Sequence, residues 1–138
     1  MTNEGHNAIA FTGTQIGMTP RQFARVGLIL RSYMPKRFHS GDCIGADAQA
    51  FEIAANIGLY QVLHPPLNRS KAAGNGPRAN ENRQPLDYLD RNHAMVDECD
   101  FLIACPKGPE ELRSGTWATV RYAIKKNKKV RIVMPDGA

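Results

Sequence analysis

The sequence lacks most of the features that assign a class at sight. It has only three cysteines, Cys43, Cys99 and Cys105, in 138 residues. An odd number without C-x-x-C spacing excludes a disulfide framework and a dithiol redox motif, so a reduced, cytoplasmic setting is expected. The four histidines and three cysteines show no metal-ligand spacing, so neither a metal nor a resident cofactor is expected. No apolar run approaches the roughly 18 residues of a membrane span. The start, "MTNEGHNAIAF", has no basic stretch leading into an apolar one, as a secretory signal would. No membrane partner is expected. The dinucleotide fingerprint G-x-G-x-x-G and the Walker phosphate loop are both absent. There is no internal repeat or low-complexity tract.

What remains is an ordinary globular composition, 42% hydrophobic and 22% charged. The length suits a single domain over residues 1–138. A chain of this size buries about two thirds of its unfolded surface without covalent staples. Charge is the first positive signal. Lys and Arg outnumber Asp and Glu by 18 to 13, a net charge of +5 that points to an anionic partner. The densest cluster, "KKNKKVR" (Lys125 to Arg131), suits a solvated helix end, where lysines complement the dipole.

Hydrophobic patterning alternates between strand and helix. Strands are expected at "AIAFTGT", "RFHSGD", "YQVLHP", "DFLIACP" and "KVRIVMP". Helices are expected at "TPRQFARVGLILRSYMP", "GADAQAFEIAANIG", "PLDYLDRNHAMVDEC" and "SGTWATVRYAIKKNK". In the first helix Thr19, Pro20 and Gln22 spell a capping box with Pro at the first position, and Phe23, Val26, Leu30 and Tyr33 should face the core. In the third, Leu86, Leu89, His93 or Ala94, and Val96 have core spacing. This order implies an α/β, three-layer, Rossmann-like fold, with a parallel sheet of about five strands and helices on both faces. One segment breaks the rhythm. Pro65 to Gln84 is rich in Pro, Gly and Asn, and carries Arg69, Lys71, Arg78 and Arg83 against the single acid Glu81. It leaves the C-terminal edge of a strand, where open α/β sheets bind ligands, and reads as a basic lid.

Three glycine turns share that edge: Thr12-Gly13-Thr14 with Gln15, Ser40-Gly41-Asp42 with Gly45, and Ser114-Gly115-Thr116. Each precedes a helix, whose free N–H groups and positive pole favour an anion. Together they read as one phosphate-binding pocket. Asp47 either caps the second helix or meets ribose hydroxyls. Asp42, Asp47 and Glu111 are the candidate acid/base carboxylates, Cys43 is a weak nucleophile candidate, and Arg78, Arg91 and Asn92 are candidate ligand contacts. His39 and His64 end strands within reach of the site. Trp117 either stacks on a base or packs in the core.

The stretches "FTGTQ", "SGDCIGADAQAFEIA", "LDRNHAMVDECDFLIACP" and "SGTWATVRYAIKKNKKVRIVMP" together resemble the SLOG superfamily. This superfamily of Rossmann-like domains includes DNA-processing protein A and the Lonely Guy phosphoribohydrolases. Gly45-Ala46-Asp47, Arg91-Asn92 and Ser114-Gly115-Thr116 match its motifs in order, within a likeness that runs from about Ile9 to Pro135. The resemblance implies a nucleotide or nucleotide-derived ligand at the C-terminal edge of the sheet, and a homodimer or larger homo-oligomer. Two alternatives follow from the same likeness: single-stranded nucleic-acid binding, and N-glycosidic cleavage of a nucleoside monophosphate. The phosphoribohydrolases carry P-G-G-x-G-T-x-x-E. Here Thr119 stands where that glutamate would, and threonine cannot act as a carboxylate acid or base.

Overall fold

The computed structural model describes residues 7–138. β1 (Ala8–Gly13) leads to α1 (Pro20–Tyr33), and β2 (Arg37–Ser40) to α2 (Ala46–Ile57). Then come β3 (Gln61–Leu63), β4 (Glu81–Asn82), α3 (Tyr88–Asp97), β5 (Phe101–Cys105), α4 (Gly115–Lys125) and β6 (Lys129–Ile132). All pairings are parallel, in the order β4-β3-β2-β1-β5-β6.

Alternation along the central strands builds the two cores. Ile9 and Phe11 of β1, with Phe101, Ile103 and Cys105 of β5, face α1 and α2. Ala10, Leu102 and Ala104 point the other way, onto Met95, Val96, Trp117 and Val120 of α3 and α4. Residues Ala46, Ala50 and Ala54 put only methyl groups on the inner stripe of α2, so that helix lies close to the sheet. The capping box at Thr19 and Gln22 is formed, and the Thr19 hydroxyl also donates to the Pro135 carbonyl at 2.6 Å.

Three expectations need correcting. The sheet has six strands, because the segment expected as a loop contributes β4 at the edge. Polarity hid this strand. Glu81 and Asn82 have no apolar alternation, and the main chain pairs beside β3 through hydrogen bonds such as Arg83 N–H to the Leu63 carbonyl at 2.8 Å. Phe23 is 40% exposed rather than buried, since Val26 and Leu30 set the inner stripe of α1. Leu89 is likewise exposed. The stripe of α3 runs through Met95 and Val96, and one turn earlier that stripe is occupied by Arg91 and Asn92, both buried. Two polar side chains thus hold core positions at the start of α3.

Candidate functional site

β1 and β5 are neighbours at the centre of the sheet, with Gly13 opposite Cys105 at their C-terminal ends. The chain leaves β1 for α1 on one face and β5 for α4 on the other. A reversal of this kind opens a crevice at the strand ends. The three glycine turns surround it.

The first turn is fixed by its own main chain. The Thr14 carbonyl accepts from Gly17 N–H at 3.2 Å and from Ala46 N–H, at the start of α2, at 3.0 Å. The second turn passes beneath it: Gly45, at φ 88° and ψ −128°, brings its Cα against the Gln15 backbone. The third caps α4, where the Ser114 hydroxyl accepts from Trp117 N–H at 3.2 Å. Gly115 lies directly under the Tyr88 hydroxyl.

Arg91 reaches into this arrangement from α3. Its Nη1 donates to the Gly41 carbonyl at 3.0 Å and lies 4.0 Å from Asp47 Oδ2. Its guanidinium sits 5.4 Å from the Tyr88 ring centre. Gly41 must be glycine here, because a Cβ would land on the guanidinium. Arg91 is 6% exposed, and its Nε is buried without a hydrogen-bond partner.

Three adjoining cavities open along the crevice, and Gln15 and Tyr88 line all of them. The largest, about 450 Å³, is walled by Pro66, Leu67 and Leu86, with Lys71 and Arg91 at its charged side. The second, about 300 Å³, is polar and is lined by the Gly13-Thr14 and Ser114-Gly115-Thr116 turns together with Lys107 and Arg113. The third, about 20 Å³, has room for one or two oxygen atoms beside Asp47, Arg91 and Asn92.

Burial controls the titration of this centre. Asp47 is pushed up to about 6, chiefly by burial, with the Arg91 cation working in the opposite direction. Its Oδ2 accepts from Cys43 N–H at 3.3 Å, so it binds the turn before α2 rather than capping the helix end. Cys43 is pushed up to about 11, first by burial and then by Asp47, which favours the thiol over the nucleophilic thiolate at neutral pH. The Asp47 shift has a stability consequence. A carboxyl raised from 3.8 to about 6 favours the fold when protonated, and ionisation costs about 3 kcal/mol. That contribution is whole below pH 3.8 and is lost as the pH rises through about 6. Urea denaturation of Asp47→Asn against the native protein should therefore show little difference near pH 4. The variant should be ahead by about 3 kcal/mol at pH 8. A difference independent of pH would refute the assignment.

The sequence-predicted residues divide into two groups. Gly13, Thr14, Gln15, Ser114, Gly115 and Thr116 line the crevice, as do Asp47, Arg91 and Asn92. Glu111 stands at the rim of the polar cavity. Gly41, Asp42, Gly45 and Arg78 line none of the three cavities. Gly41 and Gly45 act through close packing. Asp42, at φ 53°, accepts from Asn75 N–H through Oδ1 at 3.1 Å and from Ala73 N–H through its carbonyl at 2.8 Å. It fastens the long segment instead of facing a ligand. Arg78 pairs with Glu52 and lies over the Phe51 ring. Most of the basic lid is thus tied to the body, with Arg83 held by Glu98 and Glu81, and Lys71 is its member at the apolar cavity.

Tyr88 was not anticipated, although it separates the two large cavities. One aromatic residue at a helix start carries no sequence signal of its own. Lys107 and Arg113 had one, as basic residues flanking the turn that opens α4. Trp117 packs in the core and donates its indole N–H to the Gly108 carbonyl at 3.3 Å, so it is not a stacking platform. Thr119 is buried, with its hydroxyl donating to the Gly115 carbonyl at 2.9 Å. His39 and His64 do not line the crevice. Their rings meet at the seam of β2 and β3, with Nδ1 of His39 2.9 Å from Nε2 of His64. Burial pushes His39 down to about 4 and His64 to about 3. Linear spacing gave no metal-ligand set, but folding brings these two together with Glu98.

Among the described residues, no helix is long and apolar enough to cross a membrane. No family model matches the sequence, and no curated protein matches it. Solved structures do. The molybdenum cofactor binding protein of the phototrophic bacterium Rippkaea orientalis superposes with a TM-score of 0.70 at 20% identity, over 95% of this chain and 78% of that one. The structural-genomics target TM1055 gives 0.65 at 16% identity, over 90% of this chain and 72% of that one. DNA processing protein A from Streptococcus pneumoniae gives 0.67 at 16% identity, over 91% of this chain but only 49% of that one. Identities this low carry the architecture and nothing finer. The chain shares the α/β, Rossmann-like fold of these three structures, with its crevice at the point where the strand order reverses.

Proposed function

We propose that the protein binds a nucleotide or a nucleotide-derived small molecule in the crevice, as a sensor, carrier or sequestering protein. The observation that carries this reading is Arg91: a buried guanidinium with an unpartnered Nε beside a small polar cavity that joins two larger ones. A buried donor without an acceptor is costly, and an oxygen of a bound anion would satisfy it. The polar cavity supplies the N-terminal N–H groups of α4, the Ser114 and Thr116 hydroxyls, Lys107 and Arg113, a donor set suited to phosphate. The larger cavity, apolar with Tyr88 at its edge, suits a planar base or other ring system. Asp47, beneath Arg91, orients that cation.

The two alternatives have less support. N-glycosidic cleavage would have to use Asp47, buried beneath Arg91, or Glu111 at the rim of the polar cavity, because the buried Thr119 hydroxyl is committed to the helix backbone. Single-stranded nucleic-acid binding would use the basic loop together with Lys125, Lys126, Lys128 and Lys129; those lysines lie at the far end of α4 from the crevice, and Arg78 and Arg83 of the loop are held in ion pairs.

The test is calorimetry with adenosine monophosphate, adenosine, inorganic phosphate and a single-stranded oligonucleotide. The monophosphate should bind, and Gly115→Val should abolish binding while leaving the melting curve cooperative. A Cβ at Gly115 meets the Tyr88 hydroxyl, the end of a half-exposed side chain that can swing aside, so the fold survives. Unaltered binding in Gly115→Val would remove the pocket reading. Oligonucleotide binding alone, falling steeply with salt, would favour the nucleic-acid reading.

A further inference from the structure

At the C-terminal end of α3, the sheet carries a second group of chemically competent side chains. His39 lies in β2, His64 follows β3 directly, and Glu98 caps the C-terminus of α3. The two strands are adjacent in register, with Ser40 opposite Leu63. His64 N–H donates to the Ser40 carbonyl at 2.8 Å, which fixes the second ring beside the first. The ring nitrogens face each other at 2.9 Å, and Glu98 Oε2 lies 4.0 Å from His64 Nε2. All three ligand atoms fall within 4.8 Å of one another.

We propose that His39 Nδ1, His64 Nε2 and a Glu98 oxygen bind a divalent first-row transition ion, zinc being the probe of choice. Two imidazoles and one carboxylate form a three-ligand set that leaves a coordination position open. The geometry is close to what such an ion requires. Zinc–ligand bonds of about 2.0–2.1 Å at tetrahedral angles separate ligand atoms by about 3.3 Å. The His–His pair must open by about 0.4 Å and the glutamate approach by somewhat more.

The surroundings assist. Both imidazoles are buried and held by the sheet, so little side-chain freedom is lost on binding. Glu98 is part-exposed and gives the ion a path in. Its carboxylate is oriented by Arg83, whose Nη2 donates to Oε1 at 2.7 Å and whose Nε lies 3.1 Å from Oε2. A carboxylate has lone pairs enough to accept from arginine and bind a metal together. No thiolate takes part, because Cys43, Cys99 and Cys105 lie outside the cluster.

The experiment is titration of the full chain, stripped with chelator, first with cobalt(II) and then with zinc(II). One equivalent of cobalt should produce visible ligand-field bands without a thiolate charge-transfer band, and zinc should displace it. His64→Gln and His39→Gln should abolish these bands, and Glu98→Gln should weaken binding at least tenfold. Bands that persist in His64→Gln, thiolate charge transfer, or no saturable binding would each overturn the proposal. Because the imidazoles are buried, either histidine variant could fail to fold. Nitrogen-15 spectra of the native chain keep the question open to test. On adding zinc, ring nitrogens of His39 and His64 should shift while those of His93 stay still, and unchanged His39 and His64 signals would reject the site.

Discussion

Arg91→Met is expected to destabilise the protein by about 3–5 kcal/mol at pH 8, because it leaves the Asp47 carboxylate buried without its cation. Methionine fills much of the arginine's stem volume, so packing changes little. What is lost is charge, together with the hydrogen bond to the Gly41 carbonyl. The penalty should shrink in acid. Asp47 already titrates near 6 with Arg91 beside it, and without that cation its value moves higher still. At pH 5 the carboxyl in the variant carries a proton, and little charge remains to be stranded. The double variant Arg91→Met/Asp47→Asn should recover most of the pH 8 loss, a coupling that a double-mutant cycle reads directly. Binding behaves differently. If Arg91 supplies the buried donor for a ligand oxygen, nucleotide affinity should fall about 100-fold, or roughly 3 kcal/mol, in the single and the double variant alike. Equal stability losses at pH 5 and pH 8, or a double variant no better than the single, would show that Arg91 supports packing rather than charge.

This behaviour follows from the element the sequence conceals best. Spacing of Leu86, Leu89 and Val96 suggested an apolar stripe on α3, but the buried face runs through Arg91, Asn92, Met95 and Val96. Periodicity counts apolar residues, and a helix that presents polar groups to a crevice defeats that count at those positions. Elements free of functional demands read true. Thr19, Pro20 and Gln22 formed the capping box, and "DFLIACP" became the fully buried β5. The glycine turns were legible because each stands between a strand and a helix. Their division of labour was not: Gly13 and Gly115 line the crevice, whereas Gly41 and Gly45 make room for neighbours from distant parts of the chain. Non-local contacts of this kind also account for the His39–His64–Glu98 cluster and the Arg78–Glu52 pair. Only the folded chain brings those residues together.

Gly45→Ala should be strongly destabilising, because strain and a backbone clash act together there. Gly45 combines φ 88° with ψ −128°, a region that side-chain-bearing residues hardly visit, and holding alanine there costs about 1–3 kcal/mol. Space adds to the cost. The new Cβ would overlap the Gln15 backbone, its Cα only 2.7 Å away. That backbone cannot swing aside as a side-chain end can, since the preceding Thr14 carbonyl accepts from Ala46 N–H at 3.0 Å. Overpacking of this kind costs a further 1–3 kcal/mol or so, giving a total of about 4 kcal/mol and a melting temperature lower by about 12 °C. Gly58→Ala is the internal control. Gly58 has nearly the same φ, 90°, but nothing within 4 Å of a built Cβ, so it should lose only about 1 kcal/mol for the left-handed backbone. The difference between the two melting temperatures contains the clash beneath Gln15 together with the costlier ψ of Gly45, −128° against 26° at Gly58. Because Gln15 lines all three cavities, residual folded Gly45→Ala should also bind nucleotide more weakly than its stability alone would dictate. Melting temperatures for the two variants within about 2 °C of each other would mean that α2 shifts freely under the β1 turn. The crevice would then not be held in shape by that contact.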